Sequence, residues 1–241
     1  MFALRLDPRV RGDDTQLKKL SILIASGATR EPLDLVRYLS NYSTGVMGRY
    51  LVKAAKKAGH KVTWIECPDK IETALELNAE LKRHLPKNDV LIMAAAVCDV
   101  RPVKISRNKI KKNKLTSIRL TKNPDILAGL SKRKKRGQVF VGFAVESENI
   151  FENASKKLKA KGLDLLVLQR VTKSINPFGD KPIEAYLLEK NKGIQRYGAI
   201  RKEKLAGLIV EAAGDLARSA CEPGRGEACM RNSGSCACGV S

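Results

Sequence analysis

A chain of 241 residues, 43% of them hydrophobic, has the length and apolar content for one α/β domain with a real core. The formal charge of +21 points first to nucleic acid, but the basic residues are spread over the chain and aromatics are only 5%, so a base-stacking groove is not indicated. No apolar run approaches the roughly 18 residues of a membrane span, and the opening MFALRLDPRVRGDD carries Asp13 and Asp14 and no apolar core of a secretory signal, so a cytoplasmic chain with no membrane partner is expected.

Residues 1–17 read as an unstructured extension, 18–216 as the domain and 217–241 as a disordered tail. The apolar run at 20–25 is a buried strand ended by Ser26-Gly27. Residues 24–48 are the most informative stretch: a strand end, a small-residue turn, an Arg-Glu-Pro bend and the run Ser40-Asn41-Tyr42-Ser43-Thr44-Gly45 ahead of a helix over 47–58. Small residues let backbone N–H groups approach an anion, and a helix N-terminus favours negative charge. Asn41 is either a neutral donor and acceptor facing that anion or a helix cap, and local sequence favours the cap.

A strand is expected at 61–65, a helix at 71–85 stopped by Pro86, and a central parallel strand over the continuous apolar run 90–97. Residues 103–118 are rich in Lys and Arg and poor in apolar surface, and read as a basic flap containing Lys109-Ile110-Lys111-Lys112. Lysines on a mobile loop can close over a triphosphate; a solvated charge run is the plainer reading. Asn123-Pro124-Asp125 opens a helix. Strands at 139–144 and 163–168 flank a helix at 149–161, where Lys157 and Lys161 share a face. A hairpin (185–189 and 193–197) and a closing helix at 202–213 complete the pattern.

Alternating strands and helices predict an α/β, doubly wound, mostly parallel Rossmann-like sheet with a C-terminal hairpin and a basic flap. Ligands bind beyond the carboxyl ends of such strands, so Ser26-Gly27, 94–99, 143–146 and Gln169 are expected to converge on one cleft. Asp99 and Asp125 are candidates for ribose hydroxyls, base edges or Mg²⁺. His60 and His84 sit at helix ends. There is no G-x-x-x-x-G-K-[ST] loop and no G-x-G-x-x-G. Cys67 and Cys98 lie in the body; Cys221, Cys229, Cys236 and Cys238 have a C-x7-C-x6-C-x-C spacing that matches no zinc signature.

The ordered motifs TREPLDLVRYLSNYSTGVMG, AAAVCDVRP, KIKK, KNPDILAGL and VGFAVES together resemble phosphopantothenoylcysteine synthetase, in many bacteria the C-terminal half of a bifunctional coenzyme A biosynthesis flavoprotein. The resemblance covers about residues 19–215. It implies a ligase that joins 4'-phosphopantothenate to L-cysteine through an acyl-cytidylate, using CTP and Mg²⁺ and releasing pyrophosphate and CMP.

Carried over by motif, the resemblance makes Asn41 and Lys109 catalytic. It assigns Met93, Ala94, Ala95, Asp99, Lys109, Pro124, Asp125, Ile126, Leu127, Phe143, Lys157 and Lys161 to the nucleotide, and leaves the metal ligands open. It further implies a homodimer that completes the site, no FMN, and a separate phosphopantothenoylcysteine decarboxylase. Val46 stands where the family often has lysine, Cys98 where it has alanine, and Gln169 where it has asparagine. The alternatives are a nucleotide-binding Rossmann-like protein without ligase activity and a basic nucleic-acid-binding protein.

Overall fold

The computed structural model describes residues 19–190 and 192–220. The elements in chain order are β1 (Ser21–Ser26), β2 (Arg30–Pro32), β3 (Tyr38–Ser40), α1 (Val46–Lys57), β4 (Lys61–Glu66), α2 (Ala74–His84), β5 (Val90–Met93), β6 (Val100–Pro102), β7 (Leu120–Lys122), α3 (Ile126–Ser131), β8 (Val139–Glu146), α4 (Ile150–Ala160), β9 (Leu165–Arg170), β10 (Ile183–Glu189), β11 (Gly193–Ile200) and α5 (Lys202–Ser219). A seven-stranded sheet runs β11-β10-β9-β8-β5-β1-β4. Strands β4, β1, β5, β8 and β9 run parallel to one another, and the hairpin β10–β11 adds antiparallel strands at the β9 edge.

Alternation along each strand divides the core. Ile22, Ile24, Val90, Ile92, Val139, Val141, Leu165 and Val167 pack with Leu51 and Ala55 of α1 and with Leu205, Ile209 and Ala213 of α5. Leu23, Ala25, Leu91, Met93, Phe140, Leu166 and Leu168 pack with Leu77 and Leu81 of α2, Leu130 of α3 and Leu158 of α4. Helices therefore cover both faces, as a doubly wound sheet requires. Among the described residues no helix is long and apolar enough to cross a membrane.

Several boundaries differ from the sequence expectation for local reasons. The helix expected from 71 begins at Ala74, because Thr73 and Glu76 form a reciprocal capping box there. Strand β5 stops at Met93, where the alanine run leaves the ladder with β8. Helix α5 continues past 213 to Ser219, since Ala217 extends its buried stripe. The small ladders β2–β3 and β6–β7 were not expected. The first frames the turn at 33–37, and the second forms the base of the basic loop. The proposed extension at 1–17 and the four tail cysteines lie outside the described residues.

Candidate active site

A cavity of about 630 Å³ opens beyond the carboxyl ends of β5, β8 and β9. Its walls are Asn41 with 43–48, the segment 93–100, the segment 122–127, and Phe143, Val145, Lys161, Gln169, Pro177, Phe178 and Lys202. Three of the four expected strand ends therefore meet.

The fourth, Ser26-Gly27, does not line it. Ser26 is fully buried, and its Oγ accepts the Trp64 indole N–H at 2.8 Å. The chain beyond β1 is instead stitched to the chain beyond β5. Ala94 N–H donates to the Ala25 carbonyl at 2.8 Å, Ala96 N–H to Gly27 at 2.8 Å, and Thr29 N–H to Ala96 at 3.2 Å. Cys98 N–H donates to Thr29 Oγ1 at 2.9 Å, and Ala28 and Ala96 form a parallel bridge. This closes the crevice where the crossovers change direction, between β1 and β5.

Because bonding alternates along an extended chain, the amides of Ala94, Ala96 and Cys98 are consumed. Those of Ala95 and Val97 have no acceptor among the described residues. Both residues line the cavity. Gly27 lines a second, adjoining cavity of about 320 Å³, which shares Asn41, Ser43, Thr44 and Gly45 with the first. Gly27 has φ +85°, and a Cβ there would sit 1.8 Å from the Cys67 carbonyl oxygen.

The cap reading of Asn41 is not what the structure has. Helix α1 is capped by Gly45 at φ 72° with no side-chain bond. Asn41 Nδ2 donates to the Ala96 carbonyl at 3.2 Å, and its side-chain oxygen has no hydrogen-bond partner among the described residues. Val46 is the first residue of α1 and also lines the cavity. Gly48 fits beneath it because a Cβ would lie 2.0 Å from that of Ser26.

The opposite wall is ordered by Asn123, which sequence reasoning passed over. Its Nδ2 donates to the Cys98 carbonyl at 2.9 Å, its backbone N–H donates to Asp99 at 2.8 Å, and its Oδ1 accepts from Arg101 at 3.0 Å. Asp99 lines the cavity with no ion pair among the described residues. Pro124, Ile126, Leu127 and Phe143 line the same cavity as Met93, Ala94 and Ala95.

Asp125 is partly committed: it caps α3 through Ala128 N–H at 3.1 Å and lies 3.4 Å from Lys161 Nζ. Lys161 is the C-cap of α4 and a cavity residue. Lys157 is not: it pairs with Glu146 at 2.5 Å, off the lining. A carboxylate already neutralises the Lys157 charge, and of the two lysines expected on one face it is Lys161 that lines the cavity.

Lys202 was missed. It begins α5 and is 5% exposed. Its Nζ donates to the carbonyls of Pro177 at 2.6 Å and Gly179 at 2.5 Å, and it lines the cavity. Burial pushes its ammonium below the usual lysine range, opposed by Asp180. In sequence it is one lysine in Arg201-Lys202-Glu203-Lys204, and nothing local marks it as the buried one. Phe178, on the segment that Lys202 holds, packs 6.3 Å from the ring of Tyr42. Gln169 is 7% exposed and lines the cavity from the end of β9.

Lys109 stands apart, exposed on the basic loop and outside the cavity lining. The loop is tethered at Ile110 and Ser106. Ile110 N–H donates to Asp34 Oδ2 at 3.0 Å, its carbonyl accepts from Arg37 Nη2 at 2.8 Å, and Ser106 N–H donates to the Leu33 carbonyl at 3.0 Å. His60 accepts Leu20 N–H at 3.4 Å, and His84 lies 3.4 Å from Glu80; neither reaches the cavity. Among the described residues no three His, Cys, Asp or Glu side chains cluster as a metal cage.

The profile of the DNA/pantothenate metabolism flavoprotein C-terminal domain family matches residues 17–216. The coenzyme A biosynthesis bifunctional protein CoaBC of Borreliella burgdorferi is 36% identical over 209 residues, covering 81% of this chain and 52% of that protein. Its Escherichia coli K12 counterpart is 36% identical over 211 residues, with the same coverage of 81% and 52%. The chain thus spans about half the length of the curated relatives it matches. The crystal structure of the C-terminal domain of a CoaBC protein superposes with a TM-score of 0.69 at 26% identity, covering 84% of this chain and 98% of that one.

Proposed function

We propose that this chain, which belongs to the DNA/pantothenate metabolism flavoprotein C-terminal domain family, joins 4'-phosphopantothenate to L-cysteine with CTP as co-substrate. The observation that carries the reading is the cavity floor at Ala95 and Val97, with Asn41 bonded to the Ala96 carbonyl between them. Two unanswered amides beside a neutral side-chain amide suit a neutral base edge and the oxygens of a mixed anhydride.

In the first step a carboxylate oxygen of phosphopantothenate forms a bond to the α-phosphorus of CTP, and the bond to pyrophosphate breaks. In the second the cysteine amine attacks the acyl carbon, the acyl–oxygen bond breaks, CMP leaves, and the amine proton passes to solvent. Asn41 is the residue proposed to hold the acyl-cytidylate. Lys161 and the loop lysine Lys109 offset phosphate charge, the latter when the loop covers the cavity. Lys202 fixes the wall that carries Phe178.

Mg²⁺ fits this donor set, since it is commonly held by one or two carboxylates plus substrate phosphates rather than by a dedicated cage. Among the described residues Asp99 is the cavity carboxylate without an ion pair, and it would hold the metal whose charge would offset that of the triphosphate. A homodimer is part of the proposal. Leu35, Val36, Val103 and Ile105 are 54–76% exposed on two segments linked through Ser106, a surface better suited to a protein partner than to water.

The test is pyrophosphate release with CTP or ATP in turn. Release that requires 4'-phosphopantothenate, with product only when cysteine is added, supports the ligase. CTP binding without any release sinks it in favour of a non-catalytic nucleotide-binding protein.

A further inference from the structure

The turn at 33–37 is an unusual place for a carboxylate. Asp34 is buried, its side chain without exposed surface, yet it lies beside the most basic stretch of the chain. Asp34 Oδ1 accepts Val36 N–H and Arg37 N–H, both at 2.9 Å, and Leu33 N–H donates to the Arg37 carbonyl at 2.8 Å. Those bonds alone would complete a tight turn. The other oxygen does something else: Oδ2 takes the Arg37 guanidinium and the backbone N–H of Ile110, 76 residues away in sequence. Arg37 in turn reaches the Ile110 carbonyl. One residue of the loop is thus held by its N–H and its C=O, from the two ends of a single ion pair.

We propose that Asp34 is a positioning residue for the basic loop: with Arg37 it grips the backbone of Ile110 and so fixes where Lys109 and Lys111 stand. The proposal rests on the ligase reading for what those lysines do, but not for the grip itself. Gripping backbone leaves both flanking ammonium groups without an ion pair among the described residues. A carboxylate that paired with Lys109 directly would neutralise the charge the loop is there to deliver; Asp34 holds the loop and spends its charge on Arg37 instead. The Arg37 guanidinium and the donated N–H groups hold the Asp34 carboxyl well below the usual carboxylate range, so the grip stays ionised at neutral pH.

The probe is Asp34→Asn, which keeps the shape and removes the charge and one acceptor. Trypsin cleavage after Lys109, Lys111 and Lys112, followed by mass spectrometry on the full chain, should quicken about tenfold or more, as loss of a charge-assisted bond predicts. Cleavage elsewhere should be unchanged. In the ligase assay KM for CTP should rise about tenfold, with KM for cysteine unmoved. Equal loop cleavage in the folded variant and the wild type would overturn the grip. Faster cleavage throughout the chain would reduce Asp34 to a structural turn former and would equally overturn it. If the wild type turns over no CTP, the ligase reading fails while the cleavage comparison still decides the grip. Should Asp34→Asn not fold, Ile110→Pro deletes the donated N–H from a loop position. It also makes the bond after Lys109 resistant to trypsin, so faster cleavage after Lys111 and Lys112 is the required outcome, or the grip is wrong.

Discussion

Asn41 and Ala96 are joined by a 3.2 Å bond from side-chain amide to backbone carbonyl, tying the segment ahead of α1 to the floor of the cavity. The bond needs a donor. Asn41→Asp puts an acceptor against the Ala96 carbonyl and a negative charge beside the intended anhydride. Turnover should fall about 10²-fold, the scale of one lost oxyanion donor. Rapid-quench analysis with labelled CTP should show acyl-cytidylate forming faster than it decays. Product formation at the wild-type rate would remove Asn41 from the reaction.

Gly48 is a packing constraint at the same corner. A Cβ there would meet Ser26 Cβ at 2.0 Å and Ser26 Oγ at 2.5 Å, and that hydroxyl already accepts Trp64. Gly48→Ala should cost about 1–3 kcal/mol in urea unfolding, the range for overpacking a filled site. The chain has one tryptophan, so a shift in native emission would report the disturbed Trp64 bond directly. An unchanged midpoint and spectrum would contradict the packing.

His60 makes stability depend on pH. Burial, and secondarily Arg218, lower its pKa from 6.5, and Nδ1 accepts Leu20 N–H only while unprotonated. The unfolded chain therefore binds the proton more readily than the folded one. The contribution is complete above 6.5 and is lost as pH falls through the lower, folded value. Urea midpoints of the wild type and His60→Asn, measured from pH 7.5 to 5, should converge toward the acid side. Parallel curves would mean that His60 titrates alike in both states.

Burial, with Glu76 and Glu66 nearby, pushes the Cys67 thiol up to about 12. Burial likewise raises that of Cys98, against its bond to Thr29. Thiolate is the reactive form, so iodoacetamide at pH 8 should leave both unmodified in the native protein and alkylate both in urea. Peptide mapping of Cys67 and Cys98 is the check. Native labelling of Cys67 at the rate of an exposed thiol would contradict its burial.

The sheet was legible because runs such as 139–144 and 165–168 are continuous and apolar, and the strand-end rule then placed Ala94, Asp99, Phe143 and Gln169 on one side of it. Long-range bonding was not legible. Nothing near Ser26 announces that Trp64 and Gly48 will bury it. Nothing near Lys157 says that Glu146 will take its charge. Lys202 looks like any lysine opening a helix, and only the carbonyls of Pro177 and Gly179, more than 20 residues upstream, make it an interior cation. Asn123 reads only as part of a helix opening, because its three partners are set by tertiary contacts. The basic loop stood out by composition, but its attachment to Asp34 depends on a pairing 76 residues apart.

The stitching of 25–29 to 94–98 means that the floor is paired whether or not the cavity is filled. A ligand arriving on Ala95 and Val97 has little of that backbone left to order, so the conformational entropy lost on binding falls on the loop at 103–118. Amide hydrogen exchange separates the two. Ala96 should exchange slowly in both states, and ligand-dependent slowing should concentrate in the loop. Substitutions that stiffen the loop would then tighten binding without altering a single contact to the ligand.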